Sequence, residues 1–371
     1  MFFRMKIAYI SQYPMKAGGG VTRKISAQIK EWRQLGHDVR LFVLPVREGE
    51  ADTRNWSKDC EYTVIPKSRC ARELPELVAE FSPDICYVRY QPFSRGLGRV
   101  MKRFSSVVEL NSDDVQQRLL LLKQKKLSWL RYLQFRVTRS LLLKRAMGFV
   151  SVTNELLLSP SYQNFSKQSA VIPNGFDLSW QVRRKPVEGQ RDRLPRVLFV
   201  GTPDADVWHG LDQIVELAEQ CNGEVDFVMV GVGDKLKEIA PSNMKCYPQL
   251  WGDEYEEVVV DCDIGISSAA LFRIQKDMEA CPLKTRDYLA RGMPVILPYR
   301  DTAFLEDSLP AWVLQLPNEE GALKNSATAV IDFVTKLKDF VVSLEEVDDV
   351  IGMTALEHRR LFFFAQLVRS E

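Results

Sequence analysis

Histidine is nearly absent: three residues in 371, far apart at positions 37, 209 and 358. The seven cysteines (60, 70, 86, 221, 246, 262 and 281) are odd in number, scattered, and include no C-x-x-C pair. Neither a zinc site nor a disulfide framework has support in that spacing, and no metal ligand set is expected. Several cysteines sit in apolar runs, as Cys86 does in DICYV, which suits reduced thiols. No apolar run reaches membrane-spanning length. The N-terminal MFFRMKIAYIS enters a strand with no long apolar region or cleavage site. A cytoplasmic protein is expected, soluble or peripheral on the inner face of a membrane. Neither sign of charge dominates (net +1), so no nucleic-acid partner is expected on global grounds. G-x-G-x-x-G is missing too, which leaves a dinucleotide site with weak support.

What is present is an ordinary globular composition, 46% apolar, in a chain long enough that two domains are the natural prior. KIAYIS (6–11) is a short apolar strand, followed by Gly18, Gly19 and Gly20 at the head of a helix carrying Ile25, Ile29 and Trp32. Strand, glycine turn and helix form a mononucleotide-binding arrangement in which the glycines let backbone approach a phosphate or sugar; a plain tight turn would use the same residues. Further strands at TVIP (63–66), DICYVRY (84–90), SVVEL (106–110) and GFVSVTN (148–154) alternate with segments that can hold helices. This pattern argues for a mainly parallel sheet covered on both faces, with ligands at the carboxyl ends of its strands. Two such ends carry polar candidates: Arg89 after one strand, and Glu109, Asn111 and Asp113 at another. Asp113 and Asp114 equally fit helix caps.

Residues 118–146 hold nine basic residues and no acidic one, interleaved with Leu, Trp, Tyr and Phe at helical spacing. That is the pattern of a basic amphipathic helix or helix pair lying on an anionic membrane. A pair of covering helices with solvated charges is the plainer alternative, and RNA binding a third, without any recognised RNA-binding motif.

The polar stretch 179–195 reads as a linker, which sets domains at 1–178 and 196–349. After it the pattern restarts: RVLFVG (196–201), a loop TPDADVWHG, a helix LDQIVELAEQC, and strands DFVMVGVGD, MKCYPQ and CDIGISS. Two similar α/β domains facing across a cleft follow from that repetition. The D-x-D tripeptides at 204–206 and 261–263 are read as chance occurrences in an acid-rich chain rather than a metal–diphosphate site. Residues 350–371 form an apolar helix with Ile351, Met353, Leu356, Leu361, Phe362, Phe363, Phe364 and Leu367, suited to an internal interface or to a partner surface.

The densest signal is Glu279 to Ile296, EACPLKTRDYLARGMPVI. It reads as a loop, a helix and the start of a strand. Pro282 suits a first turn, Gly292 a C-terminal stop, and Pro-Val-Ile a buried β run. The helix start presents free N–H groups, with Lys284 and Arg286 beside them, as a place for an anion such as a diphosphate. Two turns beyond Glu279, the Asp287 carboxylate can accept from a pair of neighbouring hydroxyls, such as a ribose offers. An amphipathic helix with solvated charges is the alternative.

Glu279, seven residues, then Asp287 resembles the E-x7-E signature of retaining glycosyltransferases of family 4 (glycosyl transferases group 1), and KTRDYLARGMPVI is similar to that family's K-x-x-E-Y-x-A-x-G-x-P-V-I. VIPNGFD (171–177) resembles the segment that closes its first domain, and the strand, glycine loop, W-H-G and helix around 196–221 its second domain. The resemblance implies the GT-B fold, two Rossmann-like doubly wound domains with the last helix crossing back to the first, and metal-independent transfer from a nucleoside-diphosphate sugar. It implies that Glu279 meets the donor sugar, that Asp287 holds the ribose, and that Lys284 and Arg286 with N–H groups near Leu283, Lys284 and Thr285 carry the diphosphate. Gly19, Gly20, Gly201, Gly210 and Gly231 would approach the donor. Thr202 and His209 occupy places where the family commonly has an Arg and a Lys, and Asn111 the approximate place of a histidine near the reacting sugar. Arg89, Glu109 and Asp113 would line the acceptor side, and the acceptor would be a glycan or lipid-linked glycan. A scaffold that kept the fold and lost transfer, or a sugar-nucleotide epimerase, are the rival readings.

Overall fold

A computed structural model of the chain describes residues 4–12, 19–44, 61–90, 92–180, 183–184, 193–201, 207–274, 279–304 and 309–369. The chain divides into two compact units, Met1–Gly175 with Met353–Glu371, and Phe176–Gly352.

In the first unit β1 (Lys6–Ser11), β2 (Asp38–Val43), β3 (Tyr62–Val64), β4 (Ile85–Arg89), β5 (Ser106–Leu110), β6 (Gly148–Ser151) and β7 (Gln168–Val171) form one sheet in the order β3-β2-β1-β4-β5-β6-β7, each neighbouring pair parallel. Short apolar runs rather than alternating ones are what such strands require, because both faces are covered. The strand order reverses between β1 and β4, and such a reversal opens a crevice at the carboxyl ends of the two strands.

The C-terminal helix Met353–Arg369 belongs to this unit and packs on the helix Gly20–Gln34. Leu356, Leu361, Phe363, Phe364 and Leu367 enter its core, and Trp32 meets the Phe364 ring at 5.8 Å. Phe362, expected among them, is exposed, since a run of three aromatics cannot all face one side of a helix. Ile351 closes the preceding helix Leu344–Ile351. The break follows at Gly352, where a Cβ would stand 2.3 Å from Asp348 Oδ1.

The second unit holds β8 (Arg196–Val200), β9 (Asp226–Val230), β10 (Met244–Tyr247), β11 (Ile264–Ile266), β12 (Glu279–Ala280), β13 (Val295–Leu297), β14 (Arg300–Asp301) and β15 (Val313–Gln315). Six of them make a parallel sheet in the order β10-β9-β8-β11-β13-β15, with the reversal between β8 and β11. β12 and β14 form a separate parallel ribbon, so Glu279 lies on a short strand where a loop was expected. Asp263 of the second D-x-D tripeptide is buried and accepts from Arg193 at 2.6 Å, with Arg184 also against it. It thereby anchors the 179–195 segment at Arg184 and Arg193.

Candidate active site

The second unit brings Gly201, His209, Gly210 and Gly231 to the carboxyl ends of β8, β9 and β11. Gly231 has φ +74°, and a Cβ there would lie 2.3 Å from the Gly201 carbonyl oxygen. Only glycine allows the two strand ends this contact, which keeps the floor beside them bare backbone. Gly210 has φ +63°, and its Cβ would strike the Ala269 carbonyl carbon at 2.8 Å. The neighbouring His209 carbonyl accepts from Ala269 N at 3.0 Å, fixing the histidine against the end of β11.

His209 Nδ1 lies 3.0 Å from Ser268 Oγ and 3.2 Å from Lys284 Nζ, and Lys284 Nζ stands 4.0 Å over the Phe199 ring. A protonated Lys284 has only hydrogens to offer, so this contact makes Nδ1 the acceptor and places the ring proton on Nε2. Burial, then the Lys284 charge, pushes His209 down to about 3. His209 is therefore a neutral imidazole at neutral pH. Burial also lowers Lys284 to about 7. Its ammonium is therefore poised at neutral pH, and an arriving anion would favour the charged form.

Lys284 sits in the first turn of the helix Leu283–Ala290, whose N-cap is Pro282 and makes no side-chain cap bond. The N–H groups of Leu283, Lys284 and Thr285 precede any intrahelical acceptor, and the helix dipole adds positive potential there. The helix ends as its sequence demands: Gly292 has φ +79°, and Met293 N donates to Tyr288 O at 3.0 Å. The Thr285 hydroxyl turns inward, 2.9 Å from Tyr299 OH and 3.2 Å from Ser267 Oγ, so this residue offers backbone alone.

Arg286 departs from its expected place beside the anion. Fully buried, it forks onto Asp301 at 2.5 and 2.7 Å and also donates to Cys281 Sγ at 3.0 Å. Asp301 is on β14, aligned with Ala280 of β12, so this pair pins the ribbon that carries the buried Glu279. Asp287 Oδ2 accepts from Tyr255 OH at 2.8 Å and from Arg291 Nε at 3.3 Å, while Arg291 forks onto Glu256 at 2.6 and 2.8 Å. Thr202 and the tripeptide 204–206 lie outside the described residues.

The first unit holds a second polar cluster, beside the reversal between β1 and β4. Glu109, fully buried at the end of β5, pairs with Lys24 of the helix Gly20–Gln34; Arg89 Nη1 is 3.6 Å away and Tyr9 OH 3.4 Å. Burial alone would raise the Glu109 carboxyl, but Lys24, Arg89 and Arg360 outweigh it and hold it at about 2. Burial brings Lys24 down to about 8. Asn111 accepts from Arg89 Nη1 at 3.1 Å. Asp113 is a cap, not a lining residue: it accepts from Val115 N and Gln116 N at 3.0 Å and from Ser161 Oγ at 2.8 Å. Gly19 is the N-cap of the helix that Gly20 begins, with Gly18 outside the described residues.

Sequence reasoning missed Lys24, Tyr9, Tyr255, Arg291, Phe199 and Ser268. Only Lys24 left a trace: with Gln28 it forms a polar row four residues apart beside the apolar Ile25 and Ile29. Among the described residues no group of three or more His, Cys, Asp or Glu is placed to hold a metal ion, and no helix is long and apolar enough to cross a membrane.

No protein-family model and no curated protein matches the chain. Solved structures do match along its whole length. Sucrose-phosphate synthase from Thermosynechococcus elongatus superposes with a TM-score of 0.68 at 16% identity, covering 99% of this chain and 100% of that one. HepE from Anabaena, in complex with UDP and glucose, gives 0.67 at 15% identity over 98% and 100%. The chain has the GT-B fold. A third GT-B structure, the lipopolysaccharide outer core galactosyltransferase WaaB in its apo form, gives 0.63 at 12% identity over 97% and 99%.

Proposed function

We propose that the protein moves a sugar from a nucleoside-diphosphate sugar to an acceptor hydroxyl with retention of anomeric configuration and without a metal ion, as a family 4 glycosyltransferase in glycan or polysaccharide assembly at a membrane surface. The observation that carries this reading is the helix Leu283–Ala290: an N-terminus with no side-chain cap, Lys284 over Phe199 in its first turn, Glu279 on the short strand ahead of it and Asp287 within it. On this reading the first-turn N–H groups and the Lys284 ammonium stabilise charge on the departing diphosphate, and His209 can add a donor through Nε2–H. Glu279 meets the hydroxyls of the donor sugar, and Asp287, oriented by Tyr255 and Arg291, the ribose. The anomeric carbon becomes oxocarbenium-like, and the acceptor attacks on the face that the diphosphate leaves. In the first unit Arg89 and Asn111 face the acceptor.

A thermal-shift panel of UDP, GDP, ADP, CMP and dTDP, each with and without Mg²⁺, tests the donor half. HepE's complex with UDP puts that nucleotide first. A nucleotide at a hundredfold excess over its dissociation constant should stabilise by about 2.7 kcal/mol. One hit insensitive to Mg²⁺ is expected, followed by product formation with an acceptor. A hit without turnover would favour the scaffold, and donor conversion without acceptor the epimerase. Silence across the panel would remove the donor assignment.

Lys284 adds a pH signature. A nucleotide sugar, whose diphosphate does not titrate near neutrality, should bind with uptake of about 0.9 proton at pH 8, since a group with pKa about 7 is mostly neutral there and the bound diphosphate restores its charge. Affinity should fall about tenfold per pH unit above the free-state value. Calorimetry in buffers of different ionisation enthalpy reads this directly. Lys284→Met should bind more weakly with no proton uptake; an unchanged uptake in that variant would refute the role.

A further inference from the structure

We propose that the helix Trp129–Arg145 is a docking surface for anionic phospholipid, with a pocket beside it that takes the lipid phosphate. It gives the membrane context proposed above a location. The binding assay below uses neither donor nor turnover, so its failure and the failure of the transferase reading are separable.

The helix is apolar on two faces. One face carries Tyr132, Phe135, Leu142 and Leu143 and is buried. The other carries Trp129 (61% exposed), Leu130 (77%), Leu133 (50%), Val137 (56%) and Leu141 (46%). Spacings of three and four residues join the last four into one stripe along the exposed face. A helix that only covers a sheet needs the first face and has no use for the second. Three residues on from Leu133, Val137 and Leu141 come Arg136, Ser140 and Lys144, a polar row bordering the stripe.

That row forms one side of a cavity of about 380 Å³, also lined by Arg139, Asn164 and Lys167. Arg139 is 4% exposed and spends its Nε on Asp114, at 3.0 and 2.8 Å; its Nη2 is buried and has no hydrogen-bond partner among the described residues. A buried guanidinium N–H without an acceptor costs free energy, and a phosphate oxygen in the cavity would satisfy it. Asp114 balances Arg139 itself, which leaves Arg136, Lys144 and Lys167 as positive lining with no carboxylate partner among the described residues. Lys123, Lys125, Lys126 and Arg131 extend the basic surface, with no acid anywhere in 118–146. Anionic phospholipid complements all of this: phosphate for the cavity, acyl chains for the stripe, surface potential for the lysines. RNA would meet the charges but not an aliphatic stripe with a single aromatic residue at its end.

The test is sedimentation of the full chain with vesicles of phosphatidylcholine alone or mixed with phosphatidylglycerol. Binding to the mixed vesicles only is expected. Arg136→Gln with Lys144→Gln should weaken it about 25-fold, at about fivefold per basic residue. Leu133→Asn with Val137→Asn should weaken it at least about tenfold. All four positions except Val137 and Leu133 are polar, and those two are exposed, so unchanged circular dichroism would confirm folding. Soluble glycerol phosphate should compete with the vesicles. Three outcomes would overturn the proposal: no vesicle binding by the wild type, binding indifferent to the apolar pair, or glycerol phosphate bound by a protein that ignores vesicles. Tighter binding of oligouridylate, untouched by the apolar pair, would reassign the surface to nucleic acid.

Discussion

Glu279→Ala should lower kcat by about 10²–10³-fold while leaving the dissociation constant of the nucleotide unchanged, the size of effect seen when one group that acts on the transition state is removed. The reason lies in where the residue is held. Glu279 is buried on β12, ahead of the helix that would take the diphosphate, so a nucleotide lacking its sugar has no reason to sense it. Asp287 gives the complementary result. It lies in the helix, accepts from Tyr255 and Arg291, and on the proposed reading turns to the ribose. Asp287→Ala should weaken the nucleotide by about 10–100-fold, the loss of charge-assisted hydrogen bonds to a carboxylate. Stopped-time product assays and nucleotide titration separate the two. If Glu279→Ala lost nucleotide affinity as well, or if both variants behaved as wild type, the assignment of this helix as the donor site would be wrong.

The part of this site that the sequence disclosed is the part written in local rules. Pro282 at the start, Gly292 at φ +79° and the buried run Val295–Leu297 are positional signals, and they bracket the helix without knowledge of anything distant. Parallel strands were legible for the same reason, since burial on both faces leaves an apolar run in one dimension. Partnerships between distant residues left no such mark. Glu109 stands in SVVEL like any acid at a strand end, and only the fold brings it to Lys24, 85 residues earlier. Arg286 next to Asp287 looked like one more cation for a phosphate. Its position on the inward face of the helix, and the presence of Asp301 there, are tertiary facts. The basic stretch was half legible. Charge and apolarity at helical spacing pointed to an amphipathic helix, but a sequence cannot say which of two apolar faces the core takes.

Arg286 also carries a large expected effect on stability. Both members of the Arg286–Asp301 pair are without exposed side-chain surface, and burial alone would lower the Arg286 pKa, but Asp301 outweighs it and raises it. Removing one partner leaves the other as an uncompensated buried charge, so Arg286→Met should destabilise the second unit by about 3–5 kcal/mol. For a unit of this size that lowers Tm by roughly 10 °C. Among the described residues Asp301 would keep one donor, Ala303 N at 3.0 Å, which is too little for a buried carboxylate. Replacing both members, Arg286→Met with Asp301→Leu, should recover most of the loss, because two apolar side chains remove the charges together. The double variant then separates stability from function. It folds, yet the β12–β14 ribbon lacks its fork, so Glu279 is held less firmly. Transfer should fall by about tenfold or more with nucleotide affinity kept, since misplacement of a reacting group by an ångström is enough for losses of that order. Full activity in a stable double variant would show that the pair serves the fold alone and that Glu279 needs no such support.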